Sequence, residues 1–425
     1  DEPAISNLPG QRAIGHVRYS TTGASLLKNA QPFWVEYVDG GIAIAHNGNL
    51  VGSQDIRRRL ESRGSIFQSS MDTECIIHLI AAAPGGRLED RLQAALAQVK
   101  GAWSLLLLTE KQMIAARDPW GFRPLVLGKA DDAWVFASET CALHLIGAEF
   151  IREVEPGEAI IVDLSEDGLP NLRSISIAPP QSPRAPCAFE LVYFARPDSR
   201  VFGEPELPVY AARKRMGQIL AREHETDVDV VVPVPDSGVP AAIGYAQESG
   251  IPFELGIIRS HYVGRTFIQP SDGARHAGVK RKHNANRALV EGKRIVLIDD
   301  SIVRGTTSLQ IVEMMRDAGA TEVHFRVASP PTAHSCFYGV DTPERSKLLA
   351  ARMDVEPMRE FIKADSLAFV SIDGLYRAVG EKPRNSACPQ FCDACFTGDY
   401  PTSLTDLSRR EDRQQQLAFP AEQVA

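Results

Sequence analysis

The sequence predicts a chain of two parts: an α+β layered domain followed by an α/β domain built on a parallel sheet. Three observations point to it. Short β-type runs are interleaved with amphipathic helices in the first part, and strand–loop–helix–strand units recur in the second. Between them Ile177–Pro186 holds four prolines, a composition that suits neither a sheet interior nor a helix core and reads as a linker. At roughly 150 residues per domain the 425 residues allow three domains. The patterns reduce this to residues 1–180 and 181–404, with a polar tail over 405–425.

Composition excludes several classes. With 44% hydrophobic and 24% charged residues the chain is globular rather than disordered. A net charge of -8 argues against a nucleic-acid partner. The longest apolar run lies in Ala102–Leu108, far short of the ~18 residues of a membrane span, so no membrane is expected. Asp1-Glu2-Pro3 shows neither an export signal nor an initiator methionine, and a missing leading segment is expected. Seven cysteines, an odd number, fit a reducing cytoplasmic setting better than a disulfide framework.

In the first part Gly41–His46, Ser104–Thr109 and Ala133–Ala137 read as strands, and Asp72–Ala83 and Leu88–Val99 as helices with acidic starts. In the second, Asp229–Val234 is a β-branched strand. It leads through Pro235-Asp-Ser-Gly238 into a helical Val239–Gln247. Arg294–Ile298 is another strand, and Thr307–Ala318 a helix with Leu309, Val312 and Met315 on one face. Val323–Ala328 returns as a strand, which makes βαβ units and a parallel sheet.

The most informative segment is Ile295–Ser308. An apolar strand ends in Asp299-Asp300, and Ser301, Arg304, Gly305, Thr306, Thr307 and Ser308 lead into a helix. A helix N-terminus offers unpaired N–H groups and partial positive charge, so it binds phosphate; Gly305 permits close approach. Paired acids at the carboxyl end of a parallel strand suit ribose hydroxyls or a cation. The plain alternative is an N-cap cluster on a structural helix. Upstream, Gly264–Arg287 carries Arg265, Arg275, Lys280, Arg281, Lys282 and Arg287, a basic run that by itself reads as a solvated face but interrupts an acidic chain.

In the first part Ile14–Gly23 places Arg18 before a hydroxyl-rich loop, His46-Asn-Gly-Asn-Leu50 follows a strand, and Ser69–Glu74 opens a helix. Singly these read as a turn and a capping pattern. Near the end, Cys388-Pro-Gln-Phe-Cys-Asp-Ala-Cys395 contains one C-x-x-C, compatible with zinc, a redox pair, buried thiols or an iron–sulfur cluster.

Taken in order, these motifs resemble the amidophosphoribosyltransferase family from Gly10 to about Thr402. The first part looks like a class II, N-terminal-nucleophile glutaminase sandwich (αββα), the second like a type I phosphoribosyltransferase. The resemblance implies transfer of glutamine-derived ammonia to phosphoribosyl pyrophosphate (PRPP), giving 5-phosphoribosylamine, pyrophosphate and glutamate, the first step of purine biosynthesis. It implies that Arg18 and Asp72 hold glutamine, and that Asn47 and Gly48 form the oxyanion hole. Asp236, Ser237, Gly238, Lys280, Lys282, Asp299, Asp300, Ser301, Arg304, Gly305, Thr306, Thr307 and Ser308 would hold PRPP. Ser237, Asp299 and Asp300 would form the Mg²⁺ site. A [4Fe–4S] cluster is implied on Cys187, Cys336, Cys392 and Cys395, while Cys75 and Cys141 read as buried thiols. Arg117–Leu125 matches a further stretch of mainly structural role.

One departure matters. The family's nucleophile is an amino-terminal cysteine, whereas residue 1 here is Asp and no cysteine precedes Cys75. The glutaminase half of these 425 residues is therefore expected to be inactive by itself, with ammonia-dependent transfer surviving. The alternatives are an ammonia-only enzyme or a non-catalytic, nucleotide-sensing phosphoribosyltransferase-fold regulator. Hexosamine-forming amidotransferases and asparagine synthetases share the first part, but Asp299–Ser308 argues against them. Feedback inhibition by purine nucleotides and a homo-oligomer, dimer or tetramer, are also implied.

Overall fold

The structure, a computed structural model, describes residues 10, 12–18, 26–163, 171–202, 208–260 and 283–404. The chain divides into two compact units. The first comprises Asp1–Pro186 with Cys336–Asp341 and Tyr400–Ala425; the second comprises Cys187–Ser335 with Thr342–Asp399.

The strands of the first unit are β1 (Phe33–Tyr37), β2 (Gly40–Val51), β3 (Lys100–Thr109), β4 (Gln112–Arg117), β5 (Val126–Ala130), β6 (Ala133–Ala137), β7 (Glu149–Glu153), β8 (Glu158–Asp163) and β9 (Asn171–Ser176). They form two antiparallel sheets, ordered β1-β2-β3-β4-β8-β9 and β6-β5-β7. Alternation decides what covers each face. Leu105 and Leu107 of β3, Ile114 of β4 and Ile161 of β8 pack with Ile56, Ile76, Ile80 and Leu92. Those four come from helices α1 (Ser53–Glu61), α2 (Thr73–Ala82) and α3 (Leu88–Leu96). The intervening Ala115 and Ile160 meet Leu127, Trp134 and Phe136 of the small sheet. Val126, on the far side of that sheet, meets Leu143 of the short helix α4 (Thr140–Leu145). The layers are thus α, β, β, α, as expected.

The proline-rich stretch ends where the first unit gives way to the second, and it is itself hydrogen-bonded to the first. Ile177 donates its N–H to Gly157 O at 2.8 Å, Gln181 to Pro119 O at 2.8 Å and Ala185 to Trp120 O at 2.9 Å. Proline blocks regular structure, yet the other residues keep their N–H groups, and those find loop carbonyls.

The second unit holds a parallel sheet ordered β10 (Val230–Pro233), β13 (Arg294–Asp299), β14 (Glu322–Val327) and β15 (Ser366–Phe369). A separate antiparallel pair joins β11 (Ile257–Arg259) to β12 (His283–Ala285). Helices α5 (Val209–Glu223) and α6 (Val239–Ser249) cross closely: a Cβ on Gly217 would lie 1.8 Å from Ala241 O, and one on Gly244 1.9 Å from Lys214 O. On helix α7 (Thr306–Asp317) the buried face is Ser308, Ile311, Val312 and Met315, with Leu309 only half-buried. Of the three residues that share a face, Val312 and Met315 are buried, and Ile311 adds to the core beside them. Helix α8 (Val355–Ile362) adds Met358 and Ile362 to this core.

Candidate active sites

In the first unit, β2 carries His46–Leu50 along the middle of the large sheet. The His46 N–H donates to Gln31 Oε1 at 2.7 Å, and its ring lies between Thr73 Oγ1 and the Ala102 carbonyl, each at 3.1 Å. A carbonyl only accepts, so Nε2 carries a proton. Gly48 sits at φ 151°, and a Cβ there would fall 2.2 Å from Ala102 O, so this position requires glycine. Asn47, beside it, is half-buried opposite Ser104.

Asp72 is the N-cap of α2. One carboxylate oxygen accepts the Thr73 N–H at 2.9 Å and the other the Leu50 N–H at 2.7 Å. Two residues on, buried Glu74 accepts from the N–H groups of Gln68 and Ser69 at 2.7 and 2.8 Å, which fastens the loop ahead of the helix rather than closing a reciprocal box with the N-cap. The half-buried Arg18 lies in the same neighbourhood. Burial, and then the charges of His46 and Arg18, hold the His16 pKa below its ordinary value.

The Arg117–Leu125 stretch is a buried scaffold. Arg117 spreads its guanidinium over the carbonyls of Gly121, Arg123 and Val154 and the Glu153 carboxylate. Asp118 accepts N–H bonds from Trp103, Trp120 and Phe122.

In the second unit, Asp299 and Asp300 lie at the carboxyl end of β13, next to the loop that follows β10. A Cβ on Gly238 would come within 2.4 Å of Ile298 O, so the Asp236–Gly238 turn can pass the strand end only with glycine there. Both acids are buried, at 8% and 5% exposure. Burial, then the charge of Asp300, pushes the Asp299 pKa well above the usual carboxylate range. Burial also raises Asp300, tempered by hydrogen bonds from Ser237 and Ser301 and by the Arg213 charge. Gly305 takes the left-handed N-cap position of α7, where a side chain would strike Leu349. Arg304 and Thr306 are exposed, Ser301 and Thr307 half-buried, and Ser308 is buried at 3% exposure. Lys280 and Lys282, with Arg265, Arg275 and Arg281, lie outside the described residues. Arg287 bonds Asp317 O at 2.9 Å, at the C-terminal end of α7.

Two cysteines of the second unit lie side by side, and a third follows in the next short helix. Cys187 and Cys392 pair as a parallel β-bridge, and Ala188 donates to Cys392 O at 3.0 Å. Cys395 lies in the following turn, and its carbonyl accepts from Ala333 and His334 at 3.0 Å each. Between them Asp393, wholly buried, accepts from the Tyr376 hydroxyl at 2.9 Å and pairs with Arg384. Cys336 falls in the first unit, where the Tyr338 N–H points at its sulfur at 3.3 Å. None of the cysteines is in a disulfide, and Cys75 and Cys141 are buried. Among the described residues no three His, Cys, Asp or Glu side chains converge on a position for a single metal ion.

Residues that the sequence patterns did not single out also join these sites. His46 bears on Gly48, Arg213 faces Asp300, and Arg259 forms an ion pair with Asp236. His46 adjoins the Asn-Gly motif and was legible; the two arginines come from elements distant in sequence and were not.

A glutamine amidotransferase domain family model matches residues 16–145, and a phosphoribosyl transferase domain model matches residues 209–333. The amidophosphoribosyltransferase of Rhizobium etli is 57% identical over 403 residues, covering 95% of this chain and 80% of the relative. That of Bacillus subtilis is 49% identical over 402 residues, covering 94% and 82%. Among solved structures, the glutamine PRPP amidotransferase from B. subtilis complexed with ADP and GMP superposes with a TM-score of 0.83 at 48% identity, covering 92% of this chain and 83% of that one. Two matched domains in this order, and identity of this level along nearly the whole length, leave one assignment: the chain belongs to the amidophosphoribosyltransferase family.

Proposed function

We propose that the chain forms 5-phosphoribosylamine from PRPP and ammonia released from glutamine, with the two sites above as its active sites. The observation that carries this is the pair of buried acids closing a parallel strand beside a glycine-dependent turn and a helix N-terminus. A C–N bond forms at the anomeric carbon as the bond to pyrophosphate breaks, and ammonia gives up a proton. Asp299 and Asp300 orient the ribose hydroxyls, which relieves carboxylates that burial otherwise holds toward their protonated forms. The Arg304–Ser308 turn and the start of α7 hold the 5′-phosphate. Asp236, Ser237 and Gly238 bind the pyrophosphate, with Lys280 and Lys282 as the further partners that the family resemblance implies. The proton leaves to solvent or to the departing pyrophosphate, and positioning supplies most of the acceleration.

Adjacent buried carboxylates beside a serine hydroxyl are the hard oxygen donors that magnesium takes, so Ser237, Asp299 and Asp300 fit a Mg²⁺ ion. Bound there, it would neutralise charge on the departing pyrophosphate. In the glutaminase site Arg18 and Asp72 hold the two ends of glutamine's amino-acid group, while Asn47 and the Gly48 N–H receive the oxyanion. Cys187 and Cys392, paired across a β-bridge, with Cys395 and Cys336, are the thiolates that the family resemblance implies for a [4Fe–4S] cluster. Such a cluster would tie the ends of these segments covalently. Purine nucleotides are the proposed inhibitors, supported by the ADP and GMP of the Bacillus structure. A cytoplasmic homo-oligomer, dimer or tetramer, completes the reading; among the described residues no helix is long and apolar enough to cross a membrane.

The test is pyrophosphate release from PRPP with magnesium and an ammonium salt. Turnover that requires all three, and falls with ADP and GMP, is expected. A rate no higher than without protein would overturn the assignment. Iron and acid-labile sulfide near four each per chain in an anaerobic preparation are expected for the cluster; one zinc and no iron would remove it.

A further inference from the structure

Residues Cys336–Asp341 belong to the first unit although the chain on both sides of them belongs to the second. Within that unit they run along the stretch of β2 that carries the oxyanion residues. A Cβ on Gly339 would fall 2.8 Å from Gly48 Cα, 2.9 Å from its carbonyl carbon and 3.2 Å from its oxygen, so the two glycine backbones touch. Gly339 itself sits at φ 100°, in the region glycine favours. Asn49, one residue beyond Gly48, donates its side-chain amide to the Phe337 carbonyl at 3.0 Å. Between these contacts Tyr338, only 2% exposed, stacks on Phe122 at 4.2 Å, and its hydroxyl meets Thr402 Oγ1 at 2.9 Å.

Gly48 is therefore gripped from two directions. His46 Nε2 and the Ala102 carbonyl close on the position of its absent side chain, at 2.8 and 2.2 Å, and Gly339 closes on its backbone. We propose that Phe337–Gly339 is a strap that positions the oxyanion donors, with Gly339 setting the Gly48 main chain and Asn49 anchoring the strand to it. The proposal rests on the reading of Asn47 and Gly48 as the oxyanion hole. Its physical basis is that such donors act only when held about 2.7–3.1 Å from the oxyanion, and a misplacement near 1 Å costs on the order of 100-fold in rate. A methyl group on Gly339 displaces the Gly48 backbone, or is itself displaced along with the strap. Either way the donor moves while the residues that bind glutamine stay.

The experiment uses enzyme expressed from its complete gene. It compares glutamate release from glutamine with ammonia-dependent pyrophosphate release. Gly339→Ala is expected to lower kcat for glutamine by about 10- to 100-fold, with KM and the ammonia-dependent rate each within about twofold. Asn49→Ala is expected to act in the same sense by about 3- to 10-fold. The proposal is overturned if Gly339→Ala keeps its glutamine kcat, or if glutamine and ammonia rates fall together. Should Gly339→Ala fail to fold, Asn49→Ala decides on the same criteria. Asn47→Ala separates the two levels. If it retains full glutamine turnover, the oxyanion reading fails and the strap with it. If it loses about 100-fold while Gly339→Ala and Asn49→Ala lose nothing, only the strap fails.

Discussion

The Leu50 main-chain N–H donates to the Asp72 carboxylate at 2.7 Å, so the acid that caps α2 also holds the strand bearing Asn47 and Gly48. One side chain thus couples a helix start to the proposed oxyanion residues. Asp72→Ala removes the cap and leaves the Leu50 N–H buried without its acceptor. A loss of about 2–4 kcal/mol is expected in thermal or urea denaturation. Asp72→Asn keeps an acceptor but no charge for an α-ammonium group. In enzyme from the complete gene its KM for glutamine should rise by about 10- to 100-fold.

Asp299 and Asp300 are costly to the fold, because burial disfavours both charges and Asp300 adds repulsion at Asp299. Asp300→Asn is expected to lower ammonia-dependent pyrophosphate release by more than about 100-fold through lost positioning. The same change should leave the melting temperature level or raised, as expected where a site is kept at the expense of stability. Lost activity together with a falling melting temperature would make the pair structural.

Asp118 is wholly buried, and that burial pushes its pKa from 3.8 up to about 6, against the pull of Arg117 and three N–H bonds. The folded chain binds this proton more tightly than the unfolded chain does. Its contribution is therefore greatest below the unfolded value near 4 and is lost as pH rises through about 6. Relative to Asp118→Asn, the unsubstituted chain should lose about 3 kcal/mol between those limits, read as urea midpoints against pH.

Thiol reactivity follows burial. Cys75 is pushed up to about 12, chiefly by desolvation and then by the Asp72 charge, while Cys388 is exposed. Iodoacetamide at neutral pH should label Cys388 in the folded protein and reach Cys75 only after unfolding, as peptide mapping by mass spectrometry will show. Early labelling of Cys75 would mean that α2 opens without global unfolding.

The sites were legible in unequal measure. Asp299–Ser308 is read directly, because strand, acids, glycine and helix start are contiguous and each obeys a local rule. His46–Leu50 and Ser69–Glu74 are legible as a turn and a cap, and only their order along the chain lifts them above that. Periodicity puts Leu309, Val312 and Met315 on one face of α7, but says nothing of Ile311, whose burial is decided by the sheet it meets. The prolines of Ile177–Pro186 announce a break in regular structure, and say nothing of the carbonyls that pin it.

The sequence by itself determined the alternating strands that make both faces of the large sheet apolar, the βαβ order of the second unit, and the residue types of both sites. These depend on period and neighbour, which are written along the chain. The tertiary structure decided which distant groups complete each site: Arg213 at Asp300, Arg259 at Asp236, Cys187 beside Cys392, and Gly339 against Gly48. Those pairings rest on packing between segments far apart in the chain, where the fit of a missing Cβ or the burial of a charge is settled only once both surfaces exist.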